Sequence, residues 1–116
     1  MALITSHTLN GVDGTHACHV QVQLLEVEKT GEPIFDTQMD GNGRLSRTIC
    51  PKSINPLKSY DLVFFTGHYW ASTLADIDNS NITQQVIVRF HMPDPEGHYH
   101  MPIILSPKSY SVWLSG

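Results

Sequence analysis

Short runs of alternating polar and apolar residues, separated by turn signals, constrain the fold of this chain more than any other feature. The run Val20–Leu24 alternates strictly, which is typical of a strand that buries one face. Tyr60–Thr66 has the aromatic and β-branched composition of a core strand. Further strands are predicted at Leu3–Leu9, Ile34–Met39 and Gln84–Phe90, and in two runs within His98–Leu114.

Glycine, proline and asparagine mark the connections between these runs. The strongest turn signal is Asp40–Gly43, and the alternation slips at Leu24-Leu25, which predicts a bulge or a twist. Only His68–Asp76 has helical spacing, and a loop is predicted after it at Asp78–Asn81. We therefore expect one domain over residues 1–116. Its predicted class is an all-β antiparallel sandwich of about seven to eight strands with one short helix.

The C-terminal segment HYHMPIILSPKSYSVWLSG is predicted to form a hairpin with ionisable groups at its mouth. Ser106–Ser109 has the residues of a turn, and Tyr110–Leu114 has the composition of a returning strand. Alternate residues of a strand share a face, so His98 and His100 would lie together, roughly 6.5–7 Å apart along the strand. Two imidazoles on one face suit either acid–base catalysis or a metal site.

Charge and hydropathy argue against several classes of function. Seven lysines and arginines against eleven acidic residues, with no basic run, argue against nucleic-acid binding. No apolar stretch approaches the roughly 20 residues that cross a bilayer, and Met1–Ile4 lacks the features of a secretory signal. Cys18 and Cys50 are too few for a disulfide framework and are expected to be reduced thiols. We therefore expect a cytoplasmic protein that binds neither nucleic acid nor membrane.

Three elements carry groups that could act together: His7 on the first strand, Arg44 after the glycine turn, and the histidine pair of the C-terminal segment. Taken singly, a strand histidine or an arginine after a turn is more often an ordinary hydrogen-bonded or solvated side chain. Neither a Gly-x-Ser-x-Gly sequence nor a local cysteine signature occurs, so Ser-His-Asp and Cys-His sites are not indicated. His16 and His19 lack a third metal ligand nearby and are expected to lie on the surface.

Motifs along nearly the whole chain resemble those of one known family. His98–Ser111 is similar to the end of the transthyretin-like family, and Ser6–Asn10 with Val20–Leu24 is similar to its Thr-His-Val-Leu-Asp opening and second strand. Asp40–Leu45 is similar to its Asp-Gly-Arg segment, and Tyr60–Trp70 to the strand that leads into its helix. The family contains 5-hydroxyisourate hydrolase and the hormone carrier transthyretin.

The resemblance implies a transthyretin-like β-sandwich that assembles as a homotetramer, with sites between subunits and with no cofactor or metal. The hydrolases of the family use a histidine of the first strand, an arginine after the third, and the second histidine of His-Tyr-His. Here these are His7, Arg44 and His100. Transthyretin has lost these groups, so the resemblance favours the enzyme branch. One histidine, with an ordinary pKa of about 6.5, would take a proton, and Arg44 would hold a developing oxyanion or enolate.

The chain departs from the family at its C-terminus. The hydrolases end in Tyr-Arg-Gly-Ser, whereas this chain ends in Trp113–Gly116, so leucine replaces a guanidinium. By the resemblance, His98, Trp113 and Ser115 are expected to contact the substrate, and the reaction is hydrolytic ring opening of 5-hydroxyisourate in urate breakdown. Three alternatives stay open. They are ring opening, cyclisation or isomerisation of another metabolite, a non-catalytic carrier, and a metal-dependent activity of the histidines.

Overall fold

Nine strands form two sheets in the computed structural model of this protein, which describes residues 1–73 and 83–116. The strands are β1 (Ala2–Asn10), β2 (Gln21–Glu26), β3 (Phe35–Gln38), β4 (Arg44–Ile49), β5 (Ser59–Phe64), β6 (Val86–His91), β7 (His98–His100), β8 (Ile103–Ser106) and β9 (Ser109–Val112). The first sheet has the order β4-β1-β8-β9, with β7 also paired to β1, and the second has the order β3-β2-β5-β6. A 3₁₀ turn (Pro51–Ser53) and one helix, α1 (Thr66–Thr73), connect the strands.

The predicted β-sandwich is confirmed, with three differences in its strands. Apolar side chains of both sheets meet in one buried core. Met101-Pro102 divides a run predicted as one strand into β7 and β8, because proline has no N–H to donate to a neighbouring strand. This division and the unpredicted strand β4 raise the number of strands from the seven runs named above to nine. Strand β1 pairs in parallel with β7 and β8 and antiparallel with β4, so the first sheet is mixed rather than purely antiparallel.

The bulge predicted near the end of β2 is wrong. Strand β2 pairs with β5 in an unbroken antiparallel register, with Leu24 opposite Leu62 and Leu25 opposite Asp61. Leu24 is buried, whereas Leu25 is half-buried on the opposite face of the strand. Apolar residues cover much of any protein surface, so a leucine on the outer face of a strand is ordinary. Leu25 therefore interrupts the alternation in the sequence, while the backbone of β2 stays regular.

The helix α1 begins at Thr66, two residues before the predicted start at His68. Its Trp70 side chain is buried and anchors the helix on the core. The predicted end of the helix, at Asp76, and the predicted loop Asp78–Asn81 lie outside the described residues. Among the residues that are described, no helix has the length and apolar character needed to cross a membrane.

Strand β1 separates the core from the face that carries the candidate site. Its residues alternate without exception between buried and half-buried positions. The buried side becomes polar towards the end of the strand, where the hydroxyls of Ser6 and Thr8 each donate to a backbone carbonyl at 2.6 Å. These internal hydrogen bonds satisfy the buried hydroxyls. Thr5 and His7 consequently project from the outer face of the first sheet.

Apolar side chains near the C-terminus are exposed on the single chain, which predicts a subunit interface. Tyr110, Trp113 and Leu114 are 51%, 51% and 50% exposed, and β9 is an edge strand. We expect light scattering at micromolar concentration to report an oligomer, and the double variant Trp113→Ser/Leu114→Ser to dissociate it. Leu57→Ser is the matched control, because Leu57 is 90% exposed elsewhere. A scattering mass equal to that of one chain would contradict the prediction.

Candidate active site

His7 of β1 and Arg44 of β4 lie directly opposite each other in the first sheet. Side chains at paired positions share a face, so both project outward. Arg44 follows the turn Asp40–Gly43, which requires glycine at its last position. Gly43 has φ of +68°, and a Cβ there would lie 2.5 Å from the carbonyl oxygen of Thr8. The backbone N–H of Thr8 also donates to the Gly43 carbonyl at 2.7 Å, so the turn holds Arg44 in register with β1.

The Asp40 carboxylate organises the same turn. Its Oδ1 atom accepts the backbone N–H groups of Arg44 at 2.9 Å and of Asn42 at 2.8 Å. These hydrogen bonds, that from Arg44 first, lower the pKa of the Asp40 carboxyl below its ordinary value. Asp40 is therefore ionised at neutral pH, and a fixed negative charge lies near the guanidinium of Arg44.

Across β1 from Arg44, one hydroxyl contacts both histidines of β7. The parallel register places Leu3 opposite His98 and Thr5 opposite His100. The Oγ1 atom of Thr5 lies 2.7 Å from Nε2 of His98 and 2.7 Å from Nδ1 of His100. The centroids of the two imidazoles are 6.2 Å apart. The structure thus places the pair on one face, as the alternation along the strand predicted.

A cavity of about 480 Å³ opens on this outer face. It is lined by Thr5, Ser6, Asp40, Arg44, Leu45, Ser46, His98 and His100. Its volume is that of a small-molecule site. Within the described residues, the Nε2 atom of His100 makes no hydrogen bond and can meet a ligand. The cavity can therefore hold a small carbonyl-rich or anionic molecule between a fixed cation and a proton acceptor.

The ring of His7 lies beside this cavity and contacts His16. His16 is exposed, as the sequence predicted, but a single bridge places it opposite Leu9, on the face that carries His7. The Nε2 atom of His7 and the Nδ1 atom of His16 are 2.9 Å apart. Burial, followed by the charges of Arg44, His16 and His100, lowers the pKa of the His7 imidazole. His7 is therefore mainly neutral at pH 7.

Comparison with known proteins places this chain in a family. The HIUase/Transthyretin family, in which HIUase denotes 5-hydroxyisourate hydrolase, matches residues 4–114. The chain belongs to this family. The 5-hydroxyisourate hydrolase of Deinococcus radiodurans is 30% identical to it over 111 residues, which are 95% of this chain and 92% of that protein.

Two solved structures share the fold of this family member. The 5-hydroxyisourate hydrolase of Klebsiella pneumoniae has a TM-score of 0.79 at 23% identity, and the match covers 100% of both chains. An (S)-allantoin synthase has a TM-score of 0.76 at 23% identity over 99% of this chain. That protein is longer, and this chain spans 44% of its length.

The residues of the altered C-terminus lie at different distances from the cavity. The N–H of His100 donates to the Ser115 carbonyl at 2.9 Å, and the N–H of Ser115 donates to the His100 carbonyl at 3.0 Å. Trp113 and Leu114 are half exposed and do not line the cavity. In the single chain, the terminal segment therefore reaches the site through the backbone of Ser115.

A metal site is not apparent in residues 1–73 and 83–116, where no group of three or more His, Cys, Asp or Glu side chains is arranged to hold an ion. Three residues that contact the candidate groups were not predicted from the sequence to belong to the site: Thr5, Asp40 and His16. Thr5 could have been found, because it lies two positions before His7 on an alternating strand. His16 has no comparable signal, since its contact depends on how the loop after β1 folds back.

Proposed function

We propose that this chain hydrolyses 5-hydroxyisourate and opens its ring. The observation that carries the proposal is the convergence of His7, Arg44 and His100 on one outer face, at or beside a cavity of about 480 Å³. These are the residues that match the hydrolase motif of the family. Relatives that are similar along almost their whole length are 5-hydroxyisourate hydrolases, which supports the same reaction.

His100 is the proposed general base, because it lines the cavity together with Arg44 and its Nε2 atom makes no hydrogen bond within the described residues. Water would add to a ring carbonyl carbon while its proton passes to His100. The guanidinium of Arg44 would stabilise the negative charge that develops on the carbonyl oxygen. The C–N bond of the ring would then break, and the leaving nitrogen would take the proton back.

His7 completes the proposed set as a neutral imidazole. Its pKa lies below the ordinary value of 6.5, chiefly through burial and then through the charge of Arg44. A lowered pKa means that the neutral form persists as the pH falls through 6.5, and that protonation requires a lower pH. His7 can therefore orient water or substrate beside Arg44 without adding a second positive charge at neutral pH.

The remaining expectations from the family are part of the same proposal. His98, Trp113 and Ser115 would contact the substrate, and the active assembly would be a homotetramer that works in cytoplasmic purine breakdown. Trp113 is half exposed on the single chain, so its contact with substrate would arise in a site completed between subunits. The interface predicted for β9 is consistent with such a site.

Freshly generated 5-hydroxyisourate provides the direct test. Its ultraviolet absorbance decays spontaneously, and we expect purified wild-type protein to accelerate the decay in proportion to protein concentration. The variant Arg44→Ala, purified identically, controls for contaminating activity. Decay at the spontaneous rate in the presence of folded, oligomeric wild-type protein would reject the proposal.

A second candidate is a ring opening, cyclisation or isomerisation of a different metabolite at the same residues. It is favoured by the apolar C-terminus, where Trp113 and Leu114 replace a phenol and a guanidinium of the hydrolase ending. Loss of one charged hydrogen bond costs about 1.5–3 kcal/mol, which need not abolish hydrolysis. Inactivity of the wild-type protein on 5-hydroxyisourate, with its fold intact, would favour this candidate.

A further inference from the structure

One threonine hydroxyl lies between two imidazoles of the candidate site. The Oγ1 atom of Thr5 is 2.7 Å from Nε2 of His98 and 2.7 Å from Nδ1 of His100. Both distances are typical of well-formed hydrogen bonds. The parallel pairing of β1 with β7 sets the contact, which joins residues 93 and 95 positions apart in the sequence.

The hydroxyl has a single proton, which couples the two rings. If Thr5 donates to Nε2 of His98, it must accept an N–H from Nδ1 of His100, and the Nε2 atom of neutral His100 keeps a free lone pair. If Thr5 donates to His100 instead, the Nε2 atom of neutral His100 carries the proton. Neutral His98 and His100 must therefore be the same tautomer, with both protons on Nδ1 or both on Nε2.

We propose that Thr5 is a positioning residue that relays a proton between His100 and His98. The inference rests on the hydrolysis proposed above. When Nε2 of His100 takes the proton of the attacking water, its Nδ1 proton passes to Oγ1 of Thr5, and the hydroxyl proton of Thr5 passes to Nε2 of His98. His98 then holds the positive charge, and His100 is neutral with a proton on Nε2. As His100 donates this proton to the leaving nitrogen, the Nε2 proton of His98 passes to Oγ1 of Thr5 and the hydroxyl proton of Thr5 passes to Nδ1 of His100, so that His100 stays neutral and the starting state is restored.

The charges around the pair favour movement of the positive charge away from His100. Arg44 lines the same cavity, and His7 and His100 interact electrostatically, so a cation on His100 would lie near a fixed positive charge. The Asp40 carboxylate offsets this repulsion in part. His98 is exposed and lies opposite Leu3, two residues further along β1 from His7 and Arg44 than Thr5, the partner of His100. A charge on His98 is therefore more distant from Arg44 and is solvated by water.

Two substitutions of Thr5 distinguish the contribution of its hydroxyl from that of the volume of its side chain. Thr5→Val removes the hydroxyl and keeps the volume and the strand preference, whereas Thr5→Ser keeps the hydroxyl. We expect Thr5→Val to lower kcat on 5-hydroxyisourate by roughly 10- to 100-fold with little change in KM, and Thr5→Ser to retain most of the activity. Thr48→Val is the matched control, because Thr48 is exposed on β4 on the same face, opposite Leu3.

Ring ¹⁵N chemical shifts of His98 and His100 provide a second measurement, which needs no substrate. In the wild type and in Thr5→Ser, the two neutral rings should be the same tautomer. In Thr5→Val this match of tautomers should be lost. Wild-type kcat in Thr5→Val, or rings of opposite tautomer in the wild type, would overturn the relay.

Failure of the proposed function would be distinguishable from failure of the relay. If the wild type leaves 5-hydroxyisourate to decay spontaneously, the proposed reaction is rejected. The shifts then decide the relay alone, since matched tautomers that depend on the Thr5 hydroxyl support proton coupling and unmatched tautomers refute it.

Discussion

The variant His100→Ala is expected to lower kcat on 5-hydroxyisourate by at least about 100-fold, which is the usual contribution of a positioned general base. The free Nε2 atom of His100 is the proton acceptor of the cavity in the proposed reaction, and alanine leaves water to take its place. His7→Ala and Arg44→Ala should have effects of similar size, because each removes one member of the same set. The measurement is the initial rate of absorbance decay at saturating substrate.

Arg44 permits a finer test of its proposed role. Lysine keeps the charge but loses the planar fork of the guanidinium, so Arg44→Lys should recover only part of the activity lost in Arg44→Ala. His68→Ala is the control for removal of an imidazole, because His68 is exposed on α1 and does not line the cavity. Near-wild-type kcat in His100→Ala, with an unchanged melting temperature, would contradict the assignment and make His98 the next residue to test.

The variant Gly43→Ala is expected to lower the free energy of unfolding by about 2–5 kcal/mol. An alanine at φ of +68° costs about 1–2 kcal/mol by itself. Its Cβ would also lie 2.5 Å from the Thr8 carbonyl oxygen, a backbone atom that cannot move without breaking the ladder between β1 and β4. Overpacking of this kind adds about 1–3 kcal/mol. Denaturant unfolding at one fixed protein concentration measures the effect, because oligomerisation makes stability depend on concentration.

Substitutions at two other glycines distinguish the cost of the positive φ at Gly43 from the cost of its close contact with Thr8. Gly14 has φ of +78°, and a Cβ added there would have no heavy atom within 4 Å, so Gly14→Ala should show the conformational cost alone, about 1–2 kcal/mol. Gly41 has neither a positive φ nor a close neighbour, so Gly41→Ala should change stability by about 0.5 kcal/mol or less. Equal stability of the Gly43 and Gly41 variants would show that the turn does not hold Arg44 as described. Loss of kcat in Gly43→Ala should accompany its loss of stability, because Arg44 follows directly.

The strands could be predicted from local patterns, because the alternation of buried and exposed side chains is a property of each strand by itself. β1, β5 and β6 lie where their composition and period indicated, within a few residues at each end. The sequence also proposed His7, Arg44 and His100 as candidate site residues, but only through their resemblance to a family motif. Composition alone did not distinguish them from ordinary surface residues.

The pairing of strands could not be read from local patterns. β7 and β8 lie beside β1 although roughly ninety residues separate them, and the choice of neighbour depends on how the two sheets close around the core. The same dependence on the closed core explains two differences from the local predictions. The helix begins earlier than predicted because Trp70 must reach the core. Leu25 is half-buried in an unbroken strand, although its place in the sequence suggested a bulge.

By itself, the sequence determined the β-rich class, the turns at glycine and the family, because local sterics and short motifs do not depend on distant residues. Only the tertiary structure decided that Thr5 contacts both His98 and His100 and that His16 contacts His7. The alternation of β1 places Thr5 on the same face as His7, but β propensity already explains a threonine there, so the contacts of its hydroxyl become evident only when β7 lies beside β1. Hydrogen bonds between distant side chains require the register of the strands and loops that carry them, which the closed core sets.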